Sequence, residues 1–162
     1  MSILQAGDKA PSFTTTAVGG DYGKGTPLNL SDLKGTPVIL YFYPKDDTPG
    51  CTTQACGIRE SWNAIKGSGA ALFGVSIDSA KSHEKFISKF DLPFPLLSDT
   101  DKSIVEAYGV WVEKSMYGKK YMGTERTTFV IDSKGKIAAI FPKVKPAEHA
   151  VIILKALKEL KG

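Results

Sequence analysis

The chain has 162 residues, 42% apolar, 23% charged and 10% aromatic, the size and balance of one globular domain and not of a disordered, collagen-like or low-complexity chain. Its net charge of +4 comes from 21 basic and 17 acidic residues spread along the sequence, so no basic cluster marks a nucleic-acid partner. No apolar run nears the roughly 18 residues of a membrane span. The start Met-Ser-Ile-Leu-Gln-Ala-Gly-Asp lacks the regions of a secretory signal, which sets the expectation of a cytoplasmic protein without a membrane partner.

No linker or repeat interrupts residues 1–162, which read as a single domain. The run 38–43 (Val-Ile-Leu-Tyr-Phe-Tyr), bounded by Pro37 and Pro44, predicts a strand buried on both faces. A second such run spans 71–77. Between them, Ala55, Ile58, Trp62 and Ile65 recur at helical spacing over 50–66, completing a right-handed βαβ unit. A further helix, capped by Asp78 or Ser79, ends near Phe90 before Asp91-Leu92-Pro93. A short strand candidate lies at 94–97 and a brief helix at 99–108. Strands at 127–131 and 136–141 flank Asp132-Ser133-Lys134-Gly135 as a hairpin. A last helix starts with Pro146 at its first position and runs to about Leu160. This order predicts an α/β, thioredoxin-like fold, a central mixed β-sheet flanked by α-helices.

The chemistry concentrates where the first strand hands over to the first helix, at Pro44-Lys45-Asp46-Asp47-Thr48-Pro49-Gly50-Cys51. Thr48 precedes a proline and is therefore non-helical, while Pro49 suits the first helical position. Thr48 is thus the N-cap, its hydroxyl expected on the Cys51 backbone. Cys51 falls among the unpaired N–H groups at the positive end of the helix dipole. Holding a cysteine mostly as thiolate at neutral pH takes roughly 2 kcal/mol of preferential stabilisation. A helix terminus gives about 0.3–1 kcal/mol, so another cation is needed. Arg126, immediately before the strand 127–131, is the candidate, its rigid fork suited to a thiolate and a bound oxygen together. A small buried hydrophobe is the ordinary alternative for Cys51, and a surface ion pair for Arg126.

Cys56 follows Cys51 by five positions. In an unbroken helix their Cα atoms would stand about 8.6 Å apart, whereas a disulfide requires about 7 Å or less. Bridging would therefore require the first turns to unwind, a fraying that Gly57 makes cheaper. Cys56 as plain core remains the other reading. Two cysteines without Cys-x-x-Cys spacing make neither a disulfide scaffold nor a zinc site. The only histidines, His83 and His149, are expected at the surface of helices. The segment 113–121, with Lys114, Lys119 and Lys120, reads as a solvated loop.

Pro44, Thr48 and Cys51 complete a Pro-x-x-x-Thr-x-x-Cys motif, and Tyr41 to Cys56 extends it. With Leu97-Ser98-Asp99, Tyr108-Gly109-Val110-Trp111 and Arg126-Thr127-Thr128-Phe129, these residues resemble the peroxiredoxins, specifically the bacterioferritin comigratory protein or peroxiredoxin Q subfamily. The likeness covers nearly the whole chain, from Gly7-Asp8-Lys9-Ala10-Pro11 onward; the glycine-rich stretch Val18 to Pro27 departs from it. The resemblance implies a thiol peroxidase for hydrogen peroxide and organic hydroperoxides, with no metal, haem or flavin. It assigns attack to Cys51, peroxide binding to Thr48, charge stabilisation to Arg126 and shielding to Pro44. It further implies a Cys51–Cys56 disulfide, recycling by thioredoxin or a similar dithiol protein, and a monomer. A thioredoxin-fold disulfide reductase and a non-catalytic chaperone are the competing functions.

Overall fold

The computed structural model describes residues 4–161; Met1–Ile3 and Gly162, the ends of the expected 1–162 domain, lie outside it. The chain runs through β1 (Thr14–Val18), β2 (Thr26–Asn29), β3 (Val38–Phe42), α1 (Pro49–Glu60), α2 (Trp62–Gly67), β4 (Ala71–Ser76), α3 (Ala80–Phe90) and β5 (Leu96–Ser98). It continues with α4 (Ser103–Ala107), β6 (Trp111–Met116), β7 (Lys119–Thr124), β8 (Thr128–Ile131), β9 (Ile137–Phe141) and α5 (His149–Lys161). Seven strands form one sheet in the order β2-β1-β5-β4-β3-β8-β9. Its centre, β3, β4 and β5, is parallel; β8 runs antiparallel to β3, and β1 antiparallel to β5.

All five residues of β3 are buried, as its unbroken apolar run requires. Side-chain alternation then sorts them into two cores. Val38, Leu40 and Phe42 pack with Val105, Tyr108 and Phe129 beside α4. Ile39 and Tyr41, with Tyr43 just beyond the strand, pack with Ala55, Ile58, Ile65, Phe86 and Ile153, contributed by α1, α2, α3 and α5. The mixed sheet flanked by helices is the architecture expected. Among the described residues no helix is long and apolar enough to cross a membrane.

Four expectations need correction. The single helix over 50–66 is two helices, broken at Ser61, whose φ of −98° and ψ of 7° leave the helical region; the break turns Trp62 onto Phe94, ring centroids 5.9 Å apart. Pro146 opens a 3₁₀ turn, Pro146–Glu148, and α5 begins only at His149. The segment 113–121 is no loop but most of a β-hairpin, β6 paired with β7 from Trp111↔Thr124 to Met116↔Lys119. Its turn, Tyr117-Gly118, has positive φ at both residues, the pairing that suits a two-residue hairpin. His83 and His149, finally, are both fully buried.

Candidate active site

Cys51 sits where the sheet's core meets the first turn of α1. Thr48 is the N-cap with extended backbone, Pro49 the first helical residue and Cys51 the third. The Cys51 side chain is only 2% exposed and packs in the same core as Tyr41 and Ala55. No acceptor among the described residues engages the N–H of Gly50 or Cys51, which leaves two oriented donors and the helix dipole at the sulfur.

The Thr48 hydroxyl does not cap Cys51. It donates instead to the Lys45 carbonyl at 3.0 Å. The loop curls back over itself through Asp47 at a φ of 56°, bringing the Lys45 carbonyl within reach of the hydroxyl. Once that hydrogen is committed, the hydroxyl oxygen presents only lone pairs to anything bound beside Cys51. Pro44, half-buried, leads from β3 into this loop. A buried network holds the loop from behind. Asp46 accepts from Tyr43 at 2.6 Å and Ser82 at 2.8 Å and pairs with His83 at 2.7 Å, while its backbone N–H donates to Asp78. The second His83 ring nitrogen meets the Leu97 carbonyl at 2.8 Å.

Arg126 reaches the sulfur. Its Nη1 lies 3.4 Å from Cys51 Sγ and 2.6 Å from Gln54 Oε1. The Val144 N–H donates to the Arg126 carbonyl at 2.9 Å, pinning the backbone that carries it. Gln54 is fully buried on α1, and its Nε2 faces Nδ1 of His149 at 2.9 Å. His149 Nε2 in turn meets Thr128 Oγ1 at 2.6 Å. Burial first, and then the Arg126 cation, push the His149 imidazole down to about 3. A second cation stands near: Lys114 on β6 donates to the Thr124 carbonyl at 2.5 Å. Desolvation, then Arg126, hold its amine below the usual lysine range.

Cys51, Thr48 and Arg126 are therefore gathered at one helix mouth. Cys56 is on the same helix, half-buried, and both thiols are free. With α1 unbroken from Pro49 to Glu60, their separation is that of helical positions five apart, too long for a disulfide. Read from the sequence, Gly50 and Gln54 have no role of their own, Lys114 falls in a solvated loop and His149 at a helix surface. Gly50 had a signal, since a glycine in the first turn leaves room above the backbone. Gln54 stands three positions after Cys51, on the same helix face. Nothing local marks Lys114 or His149. The cavity between Ala10, Leu30, Val38 and Ile131 lies by the opposite end of β3 and holds none of these residues.

Residues 6–140 match the AhpC/TSA family. A putative peroxiredoxin Bcp of Coxiella burnetii is 50% identical over 154 residues, 95% of this chain and 99% of that protein. The peroxiredoxin Bcp of Bacillus subtilis is 44% identical over 157 residues, 97% of each chain. Among solved structures, a cysteine-to-serine variant of PrxQ from Xylella fastidiosa superposes with a TM-score of 0.89 at 33% identity, covering 100% of both chains. The bacterioferritin comigratory protein of Xanthomonas campestris, described for its alkyl peroxide reduction activity, has a TM-score of 0.86 at 37% identity, covering 96% of this chain and 98% of that one. A helix-mouth cysteine in contact with an arginine, on a sheet that superposes on peroxiredoxin Q structures, marks a thiol peroxidase of the peroxiredoxin class. The chain belongs to the AhpC/TSA family and, within it, to the Bcp or peroxiredoxin Q peroxiredoxins.

Proposed function

We infer that the chain reduces hydrogen peroxide and organic hydroperoxides at Cys51, stores the oxidation as a Cys51–Cys56 disulfide, and is recycled by a thioredoxin-type dithiol protein. The contact that carries this reading is Arg126 Nη1 at 3.4 Å from a buried sulfur in the first turn of a helix. Arg126, the dipole and the two free N–H groups converge on the sulfur. They also stand ready for the negative charge that develops on the departing oxygen.

The thiolate attacks one oxygen of the hydroperoxide; an S–O bond forms, the O–O bond breaks, and the leaving oxygen takes a proton to depart as alcohol or water. Thr48 accepts a hydrogen bond from the peroxide, and Pro44 limits water. Cys51 is left as a sulfenic acid, oxidised by two electrons. The start of α1 unwinds, the Cys56 thiolate attacks the sulfenic sulfur, an S–S bond forms and water leaves. The dithiol partner returns the two electrons.

A thioredoxin-coupled peroxide assay tests this. Cys51→Ser should show no turnover. Cys56→Ser should consume one peroxide equivalent and then stop, or turn over slowly with small thiols. Full thioredoxin-dependent turnover by Cys56→Ser removes Cys56 from the cycle, and unchanged function in Cys51→Ser removes the peroxidase reading altogether.

A further inference from the structure

We propose that His149 is a positioning residue for the peroxide reaction and that the chain Arg126–Gln54–His149–Thr128 is the lock that holds α1 wound around Cys51. The inference rests on the Cys51–Cys56 cycle proposed above and adds to it the device that times its two steps.

Hydrogen-bond roles along this chain are forced. Arg126 can only donate, so the Gln54 atom 2.6 Å from Nη1 is its oxygen. The Gln54 amide nitrogen then points at His149 Nδ1, 2.9 Å away, which must accept. The proton of a neutral imidazole is left on Nε2, facing Thr128 Oγ1 at 2.6 Å. The ring is neutral because burial and the nearby guanidinium oppose its protonation. It is held edgewise on Tyr41, ring centroids 5.2 Å apart and planes at 64°. One orientation of the Gln54 amide is thus selected, and that orientation aims Oε1 at Arg126. Without His149 the amide nitrogen loses its acceptor, and Gln54 is held from the Arg126 side only. The fork would then have a looser partner to hold Nη1 beside Cys51 Sγ.

The same hydrogen bonds tie three elements together. Gln54 lies between Cys51 and Cys56, inside the segment that must unwind, while His149 opens α5 and Thr128 opens β8. All three side chains are buried, so separating them exposes polar groups that have no other partner at hand. The wound state, which reacts with peroxide, is favoured by this chain. The unwound state, which forms the disulfide, is opposed by it.

The test uses stopped-flow fluorescence of Trp62, which stands just past the end of α1, after one equivalent of peroxide. His149→Leu keeps the bulk and removes the acceptor; His149→Asn places an oxygen near the former Nδ1. Losing a buried hydrogen bond of this kind is worth about threefold to tenfold in a rate. His149→Leu should slow the peroxide step by about that factor and speed disulfide formation by a similar one. His149→Asn should restore most of both. Thr128→Val, a near-isosteric change, should move both rates the same way by less, and serves if His149→Leu does not fold. Repeating the peroxide step in Cys56→Ser separates the two claims. If wild type forms no bridge yet His149→Leu still slows oxidation there, the positioning role stands and the cycle falls. Folded His149→Leu or Thr128→Val with both rates unchanged, or Asn as slow as Leu, overturns the proposal.

Discussion

Gly50 lies directly beneath Arg126: a Cβ built at Gly50 would stand 3.1 Å from Nη2 of the guanidinium. The same guanidinium is held by Gln54 on its Nη1 side, so it has little freedom to retreat. Gly50 has ordinary helical space otherwise and no positive φ. Gly50→Ala should therefore leave α1 at least as stable, since alanine is the better helix former. It should still slow the peroxide step about threefold to tenfold by displacing the fork a few tenths of an ångström. Single-turnover peroxide kinetics beside urea denaturation check this, and an unchanged rate would show that the close approach is incidental.

Arg126 is expected to carry the largest single electrostatic contribution. Arg126→Met should slow Cys51 oxidation by roughly 10²–10³-fold, the usual scale for removing one donor aimed at a developing charge. Arg126→Lys should recover only part of it, because one ammonium cannot serve Cys51 and Gln54 with the geometry of a planar fork. A Met variant within a few-fold of wild type would return this residue to the status of a structural partner for Gln54.

Thr48 gives a cleaner chemical comparison. Its hydroxyl is already committed as a donor to Lys45, so its use to substrate is as an acceptor. Thr48→Ser keeps that oxygen and should stay within several-fold of wild type. Thr48→Val removes the oxygen at nearly constant shape and should lose about 10²-fold in the peroxide step. Equal rates for the two would detach the hydroxyl from the chemistry.

His149 makes a signed prediction about acid. Its imidazole ionises near 6.5 in an unfolded chain but only near about 3 in the folded one. Between these values the unfolded state binds more protons, so stability rises with pH there and falls as pH drops below about 6.5. At pH 5 this single group should cost about 2 kcal/mol relative to neutral pH. Urea unfolding at pH 5 and pH 7 should show that loss in wild type, and His149→Asn should show a loss smaller by about that amount. Equal pH dependence in the two proteins would contradict the burial of a neutral ring.

Much of this was readable in the residues. The unit β3–α1–β4 declares itself because its strands are continuous apolar runs and prolines punctuate the loop between Pro44 and Pro49. The site was legible because the positions of Thr48, Pro49 and Cys51 at a helix start are set by backbone rules that act locally. What escaped depends on tertiary partners. β1 begins with three threonines, two of them only half-buried, and lacks the alternating apolar signal of a strand. Across β6 and β7 only Thr124 is buried, while Glu113, Lys114, Met116, Lys119, Lys120 and Met122 are exposed or half-buried, so only pairing reveals these strands. A histidine on a helix is ordinarily solvated. His83 and His149 are buried because Asp46 and Gln54, distant in sequence, satisfy them. The Thr48 hydroxyl had two local partners open to it, and the loop's curl chose the carbonyl.

The most direct measurement is amide hydrogen exchange across Pro49–Glu60, read by mass spectrometry in the reduced protein and after one equivalent of peroxide, with the cysteine-containing peptides mapped unreduced. The account predicts a protected α1 in the reduced protein. After oxidation it predicts a Cys51–Cys56 bridge accompanied by loss of protection between those residues. A bridge formed with the helix still protected, or oxidation that leaves the two cysteines unlinked, would contradict it.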